Sequence, residues 1–199
     1  MNTEKIAIIE NAFFEILNAL GENCNREGLK ETPHRVAKMF VNEIFSGLTE
    51  SNEELCERLS KTFTECDDES EMCERFGDMV IVKNIPFYST CEHHFVPFFG
   101  KAHVGYIPRS KVIGLSKIAR LLESIAKRPQ LQERITKDVA TCMEQMLEPL
   151  GVMVVIEAEH LCMAMRGVRK PGSSTITSAT RGVFKEDPAT RAEFMNLIR

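Results

Sequence analysis

Cys91, Glu92, His93 and His94 stand side by side in the stretch STCEHHFVPFFG, which begins at Ser89. A chain with five histidines has placed two of them together here, directly before an apolar run. Cys91-x2-His94 is a spacing at which a turn or strand end can offer a thiolate and an imidazole to one zinc ion. A pair is only half a site. Taken alone it is as compatible with a small buried thiol beside hydrogen-bonded surface histidines. His160-Leu161-Cys162 supplies a second half. At the end of a strand, alternation sends His160 and Cys162 to the same side. Cys91, His94 and Cys162 can then form a three-ligand set with a fourth position open to water, the pattern of a catalytic rather than a structural zinc. His93 and His160 would stand beside the metal without ligating it. Hydrolysis needs that combination, a water activated by a metal and groups that move protons near neutral pH.

The other candidates for metal work are weaker. Cys66 and Cys73 lie in an acidic stretch and make a poorly preorganised pair, so they read as solvent-side thiols. Cys24, Cys56 and Cys142 fall in helical patterns and read as packing residues. His34, in the first turn of a helix, and His103, in mid-strand, are assigned structural or surface roles.

A second chemistry is anion binding. Ser116-Lys117-Ile118-Ala119-Arg120 puts two cations in the first turn of a helix, where the dipole favours negative charge. A solvated face would tolerate this. With the free N–H groups and the Ser116 hydroxyl, Lys117 and Arg120 would also make a phosphate site. Arg166, four residues beyond Cys162, adds a cation near the metal set. Gln132-Glu133-Arg134 opens the next helix, where Glu133 compensates the dipole. A carboxylate near a phosphate site can also pair with the two adjacent N–H donors of guanine, but position alone does not single out this glutamate.

Several elements must position these groups. Ile6, Ile9, Phe13, Ile16, Leu17 and Leu20 mark an amphipathic helix over 3–20, closed at Gly21. Thr32-Pro33 predicts an N-cap and first turn for a second helix, running through Val36, Met39, Phe40 and Ile44 to about Gly47. Ser51-Asn-Glu-Glu54 has capping-box spacing and predicts a short third helix. Residues 60–77 are polar and acidic and read as a connection. Met79–Ile85 and His94–Ile107 predict an antiparallel hairpin around the Cys91 cluster. Ser116 is the expected N-cap of a helix whose apolar face is Ile118, Leu121, Leu122 and Ile125. Pro129 is expected to break it and open the next, carrying Leu131, Ile135, Val139, Met143 and Met146 and ending at Gly151. Val152–His160 is a strand, RKPGSS a turn, and Thr175–Phe184 a last strand. The order is helices, ββ, αα, ββ, an α+β fold with helices on one face of an antiparallel sheet. The expected division is an N-terminal helical region 1–60, an acidic connecting loop 61–77 and a catalytic domain 78–199.

Bulk composition narrows the function further. A net charge of −4 argues against nucleic acid as the main partner. No apolar run approaches the length of a membrane span. MNTEKIAIIENAFF is acidic and amphipathic, with no cleavage site. Seven cysteines without a framework fit reduced thiols in the cytoplasm.

CEHHFVPFFG, GLSKIARLLESIAKRPQLQER and HLCMAMRGVRKPGSSTITSATRGVF, with ETPHRVAKMF before them, resemble GTP cyclohydrolase I over roughly residues 31–197. The resemblance implies the tunnelling fold, an antiparallel β-sheet with two helices on one face (ββααββ), assembled into ring-shaped homo-oligomers, typically decamers. It implies conversion of GTP and water to 7,8-dihydroneopterin triphosphate and formate. Cys91, His94 and Cys162 match the family's zinc ligands, and His93 and His160 its proton-transfer residues. Gln132 and Glu133 match positions lining the purine and ribose pocket. Ser116, Lys117, Arg120 and Arg166 match triphosphate contacts, and Arg35 a cation from a neighbouring subunit. Two other readings stay open. A zinc-stabilised nucleotide-binding module without turnover would need a closed site, with Cys66 or Cys73 as fourth ligand. A tunnelling-fold nitrile reductase would need a cysteine nucleophile and a nicotinamide cofactor, and no Cys91/His94/Cys162 set.

Overall fold

A computed structural model describes residues 2–63 and 78–199. Most of the acidic connection, with Cys66 and Cys73, lies outside them. Helix α1 (Asn2–Ala19) leads through a turn at Gly21 to α2 (Thr32–Met39). His34 Nδ1 and Glu10 Oε2, 2.8 Å apart, tie the two helices together. Thr32 is not the N-cap. It lies inside α2, behind Glu31, and its hydroxyl donates to the Gly28 carbonyl at 3.3 Å. The helical path past Met39 is also less regular than expected, with a π-turn over Phe40–Ile44 and a 3-10 turn over Ser46–Thr49. The capping box at α3 (Asn52–Leu59) is present in both halves. Ser51 Oγ accepts from the Glu54 N–H at 3.2 Å, and Glu54 Oε2 accepts from the Ser51 N–H at 2.7 Å.

The main sheet is built from β2 (Val80–Cys91), β3 (Pro97–Ile107), β5 (Pro129–Gln130), β6 (Gly151–His160) and β7 (Ser174–Gly182), in the order β5-β2-β3-β6-β7. All neighbours are antiparallel except β5 with β2. A separate two-stranded ladder joins β1 (Thr62–Phe63) to β4 (Val112–Ile113). Helices α4 (Leu115–Ala126) and α5 (Gln132–Leu147) cover one face of the sheet. Ile118, Leu121, Leu122 and Ile125 of α4 and Ile135, Val139 and Met143 of α5 meet Phe87, Phe98, Val104, Val154 and Ile156 in one core. Leu55, Cys56 and Leu59 of α3 belong to the same core. The helical face at i, i+3, i+4, i+7 and the period-2 strands therefore bury against each other.

Three local expectations are corrected. Ser116 is not an N-cap, since α4 already starts at Leu115 behind Gly114. Pro129 does not open a helix. Pro129 and Gln130 pair with Thr90 and Cys91 as a parallel edge strand, where a proline at a strand's first residue is tolerated. Gly151 begins β6 rather than ending α5, which stops at Leu147 with Glu148 in the left-handed region.

The second face of the sheet is covered, towards the start of β6 and the end of β3, by α7 (Val183–Glu186) and α8 (Pro188–Ile198), neither of which was expected. Phe184 and Phe194 are fully buried there against Met153 and Val155. Asp187 caps α8 by accepting from the Ala189 and Thr190 N–H groups, each at 3.0 Å. β3 and β6 also come unusually close beside Gly100, which stands opposite Ala158. A Cβ at Gly100 would lie 1.9 Å from the Glu157 carbonyl oxygen. Among the described residues, no helix is long and apolar enough to cross a membrane.

Candidate metal centre and cleft

The Cys91 cluster sits on the turn that joins β2 to β3. The Phe95 N–H donates to the Cys91 carbonyl at 2.9 Å, and the Cys91 N–H to the Val96 carbonyl at 3.0 Å. Phe95 takes a positive φ of 53°, and its ring packs edge-on against Phe45 with centroids 5.4 Å apart. This tight turn leaves Cys91 buried and turns His93 and His94 outward. Their rings lie 6.1 Å apart and nearly perpendicular, so they address different directions. The Glu92 N–H donates to the Gln130 carbonyl at 3.0 Å, which locks the turn onto β5 and the start of α5.

Cys162 arrives from the other side. It lies in the short helix α6 (Leu161–Ala164), which follows β6 directly. The ligand atoms of Cys91, His94 and Cys162 all lie within 4.8 Å of one another, with Cys91 Sγ 3.9 Å from His94 Nδ1. Burial and the adjacent Cys91 sulfur push the Cys162 thiol up. Two thiols in contact resist joint ionisation, and a divalent cation between them reverses that preference. Two sulfurs and one imidazole suit zinc, and the residues present fit it.

His160 ends β6 opposite Phe98. The two rings stack, with centroids 4.5 Å apart and planes 3° from parallel. Gln132 fixes the state of the imidazole. Its amide nitrogen donates to the Ile156 carbonyl (3.1 Å), the Thr175 carbonyl (2.9 Å) and Thr177 Oγ1 (3.1 Å). Its oxygen must then face His160 Nε2, 2.8 Å away, as an acceptor. A neutral His160 thus carries its proton on Nε2 and leaves Nδ1 bare. Burial lowers the His160 pKa, which favours that neutral ring. Nitrogen-15 shifts should accordingly report an Nε2–H tautomer, and Gln132→Ala should shift the population toward Nδ1–H. An unchanged tautomer ratio in that variant would contradict the assignment.

A cleft of about 220 Å³ collects these groups. Cys91, His93, His94, Gln132, Glu133, His160 and Cys162 all line it. Glu133 is exposed at the first turn of α5, whereas Gln132 is buried. Ser116, Lys117, Arg120, Arg166 and Arg35 are not in its lining. Lys117 instead donates to the Leu59 and Lys61 carbonyls, at 3.0 and 2.6 Å, beyond the end of α3. Arg35 bonds to the Gly28 carbonyl and Thr32 Oγ1 within its own helical region. Arg166 follows α6 and is exposed.

One contact escaped the sequence reading. Arg134 grips the Glu92 carboxylate with both terminal nitrogens, the longer bond being 3.1 Å. Their mutual hydrogen bonding lowers the Glu92 pKa and raises that of Arg134. The pair joins the turn that carries Cys91 and His94 to the helix that carries Glu133. Opposite charges flanking the two clusters were the available signal, but 42 residues separate them.

The family model described as GTP cyclohydrolase I matches residues 9–199. GTP cyclohydrolase 1 of Clostridioides difficile (strain 630) is 56% identical over 191 residues, covering 96% of this chain and 94% of that protein. GTP cyclohydrolase 1 of Bacillus subtilis (strain 168) is 57% identical over 192 residues, covering 96% and 94%.

Proposed function

The chain belongs to the GTP cyclohydrolase I family, and we propose that the cleft around Cys91, His94 and Cys162 is where it opens the guanine imidazole ring of GTP. The activity is that of GTP cyclohydrolase I, a hydrolase that yields 7,8-dihydroneopterin triphosphate and formate. The fold is the tunnelling fold of that family. The observation that carries the site assignment is the convergence of two thiols, three histidines and one exposed carboxylate on a single cleft.

Cys91, His94 and Cys162 would hold a zinc ion. When bound, zinc supplies Lewis acidity and makes water a competent nucleophile near neutral pH. The remaining work falls to the chain. Glu133 accepts N1–H and N2–H of guanine and so orients the imidazole ring of the base. His93, exposed at the turn, delivers a proton as that ring opens. His160, stacked on Phe98 and held by Gln132, offers a bare Nδ1 of fixed orientation for a second proton transfer. Gln132 acts through His160, because its amide is occupied within the protein.

The cationic residues imply an assembly. The first turn of α4 lies roughly 15 Å along the helix from its last turn, which sits beside β5 and the cleft. A triphosphate reaching Ser116, Lys117 and Arg120 is therefore best supplied by the cleft of a neighbouring copy, with Arg35 contributed across another contact and Arg166 close to Cys162 in the same copy. We read the enzyme as a homo-oligomer, a decamer by family precedent, with sites between subunits. Its described cysteines are all free thiols, which fits the cytoplasm.

Incubation with GTP should release formate and a pterin that fluoresces after oxidation, and an absence of both from zinc-loaded protein would refute the reading. Base selection gives a finer test. Adenine has an unprotonated N1 and no 2-amino group, so Glu133 would be left partly unpaired. Charge-assisted hydrogen bonds contribute roughly 1.5–3 kcal/mol each. Glu133→Ala should weaken GTP binding by at least about tenfold and erode the preference over ATP, with zinc content unchanged. Wild-type affinity and preference in that variant would return Glu133 to an ordinary helix-start carboxylate.

A further inference from the structure

Cys56 and Cys142 lie away from the cleft, on α3 and α5, and both are buried free thiols. Their contacts are reciprocal. Cys56 Sγ lies 3.7 Å from Gln145 Oε1, one turn beyond Cys142 on α5. Cys142 Sγ lies 4.0 Å from the carbonyl oxygen of Asn52, one turn before Cys56 on α3. Each thiol therefore reaches across the α3–α5 contact to a group one turn from the other cysteine, which places the two side chains on facing sides of that contact.

Their surroundings differ. Cys142 is 1% exposed. Cys56 lines an open surface cleft of about 300 Å³ with Glu53, Glu57, Ser60, Gln145 and Met146. The neighbouring Cys142 thiol holds Cys56 below its ordinary pKa, outweighing burial and the nearby Glu53. The neighbouring Cys56 thiol, with burial, drives Cys142 up. A thiol in the wall of an open cleft, 7% exposed, with a second thiol behind it across the helix contact, is an arrangement that reversible cysteine oxidation can use.

We propose that Cys56 and Cys142 form a modification site at which a hydroperoxide converts the two thiols to a disulfide joining α3 to α5. The site is independent of the chemistry assigned to the zinc cleft. In the first step the Cys56 thiolate attacks one peroxide oxygen and the O–O bond breaks. Cys56 becomes a sulfenic acid, and hydrogen peroxide leaves one water. In the second step the Cys142 sulfur attacks the Cys56 sulfur. The S–S bond forms as the S–O bond breaks, and the hydroxyl leaves as a second water with the Cys142 proton. Two electrons pass from the sulfur pair to the peroxide, and a dithiol reductant reverses the change.

The full-length protein should be treated with a small excess of hydrogen peroxide, alkylated and mapped by mass spectrometry. Trypsin leaves Cys142 and Cys162 together on residues 138–166, so a glutamate-specific protease must be added. The expected product is a Cys56–Cys142 linked peptide that disappears on reduction, with a higher unfolding temperature for the oxidised protein. In Cys142→Ala, Cys56 should stop at the sulfenic acid and be trapped by dimedone. In Cys56→Ala, the buried Cys142 should stay reduced. If both cysteines of the wild-type protein stay reduced at doses that oxidise an exposed thiol, or if Cys56 pairs with another cysteine, the proposal fails. The wild-type map decides this even where a variant folds poorly.

Discussion

Cys162→Ser protein is expected to lose most of its zinc and essentially all turnover of GTP, while unfolding at nearly the wild-type temperature. A serine hydroxyl stays neutral where the thiol ionises, so it is a far weaker ligand for a divalent cation. Two ligands remain, and neither Cys91 nor His94 can compensate, because both are fixed by the same tight turn. The fold has little stake in the exchange. Cys162 is only partly buried at the margin of a core whose bulk is supplied by α4, α5 and the sheet. Cys91→Ser should act in the same direction on metal and activity, with a larger loss of stability, because Cys91 is 5% exposed inside that core. Metal analysis, a formate assay and thermal unfolding on the same preparations separate the effects. Full zinc occupancy with a normal rate in Cys162→Ser would remove this residue from the ligand set.

The second large effect separates two adjacent histidines. His93→Ala should retain zinc and lose on the order of 10²–10⁴-fold in rate, the scale of a general acid–base group. His94→Ala should lose the metal as well. The distinction rests on direction. His94 Nδ1 is 3.9 Å from Cys91 Sγ, whereas the His93 ring, nearly perpendicular to it, belongs to the cleft and not to the ligand cluster. Equal metal content in the two variants would mean that their roles had been assigned the wrong way.

How much of this was legible beforehand depended on how local each signal was. The hairpin around Cys91 and the apolar faces of α4 and α5 are patterns within single elements and recur in the fold, whereas β6 alternates between two cores and is buried on both faces over most of its length. Signals that depend on a partner were missed. Pro129 looks like a helix opener, yet β2 presents a free edge that turns Pro129 and Gln130 into a strand. The helix after Asp187-Pro188 has a clear capping signature, which could have been found. Its purpose could not be found so easily, since Phe194 buries itself against a second apolar face of β6 that only the sheet order reveals. At the site, spacing pointed to Cys91 and His94, but the strand alternation expected to bring in Cys162 does not apply, because β6 ends at His160 and Cys162 reaches the cluster from the helix α6. The grip of Gln132 on His160 and of Arg134 on Glu92 depends on how β5 docks, and residue types alone do not encode it.

Gly100 lines no part of the cleft, yet the site depends on the side chain it lacks. It stands two residues along β3 from Phe98, the partner of His160, and its neighbour across the ladder is Ala158. Any side chain there would have to displace the Glu157 carbonyl from 1.9 Å and the Ala158 backbone from 2.7 Å. The displaced segment would be the one that ends in His160 and leads into Cys162. Even the smallest replacement at Gly100 would therefore move Cys162 away from Cys91 and His94, with all three side chains still present. The position should be closed to mutational drift for as long as the chemistry is retained, and a scan of the surrounding strand would find intolerance there that no inventory of contacts to the substrate could explain.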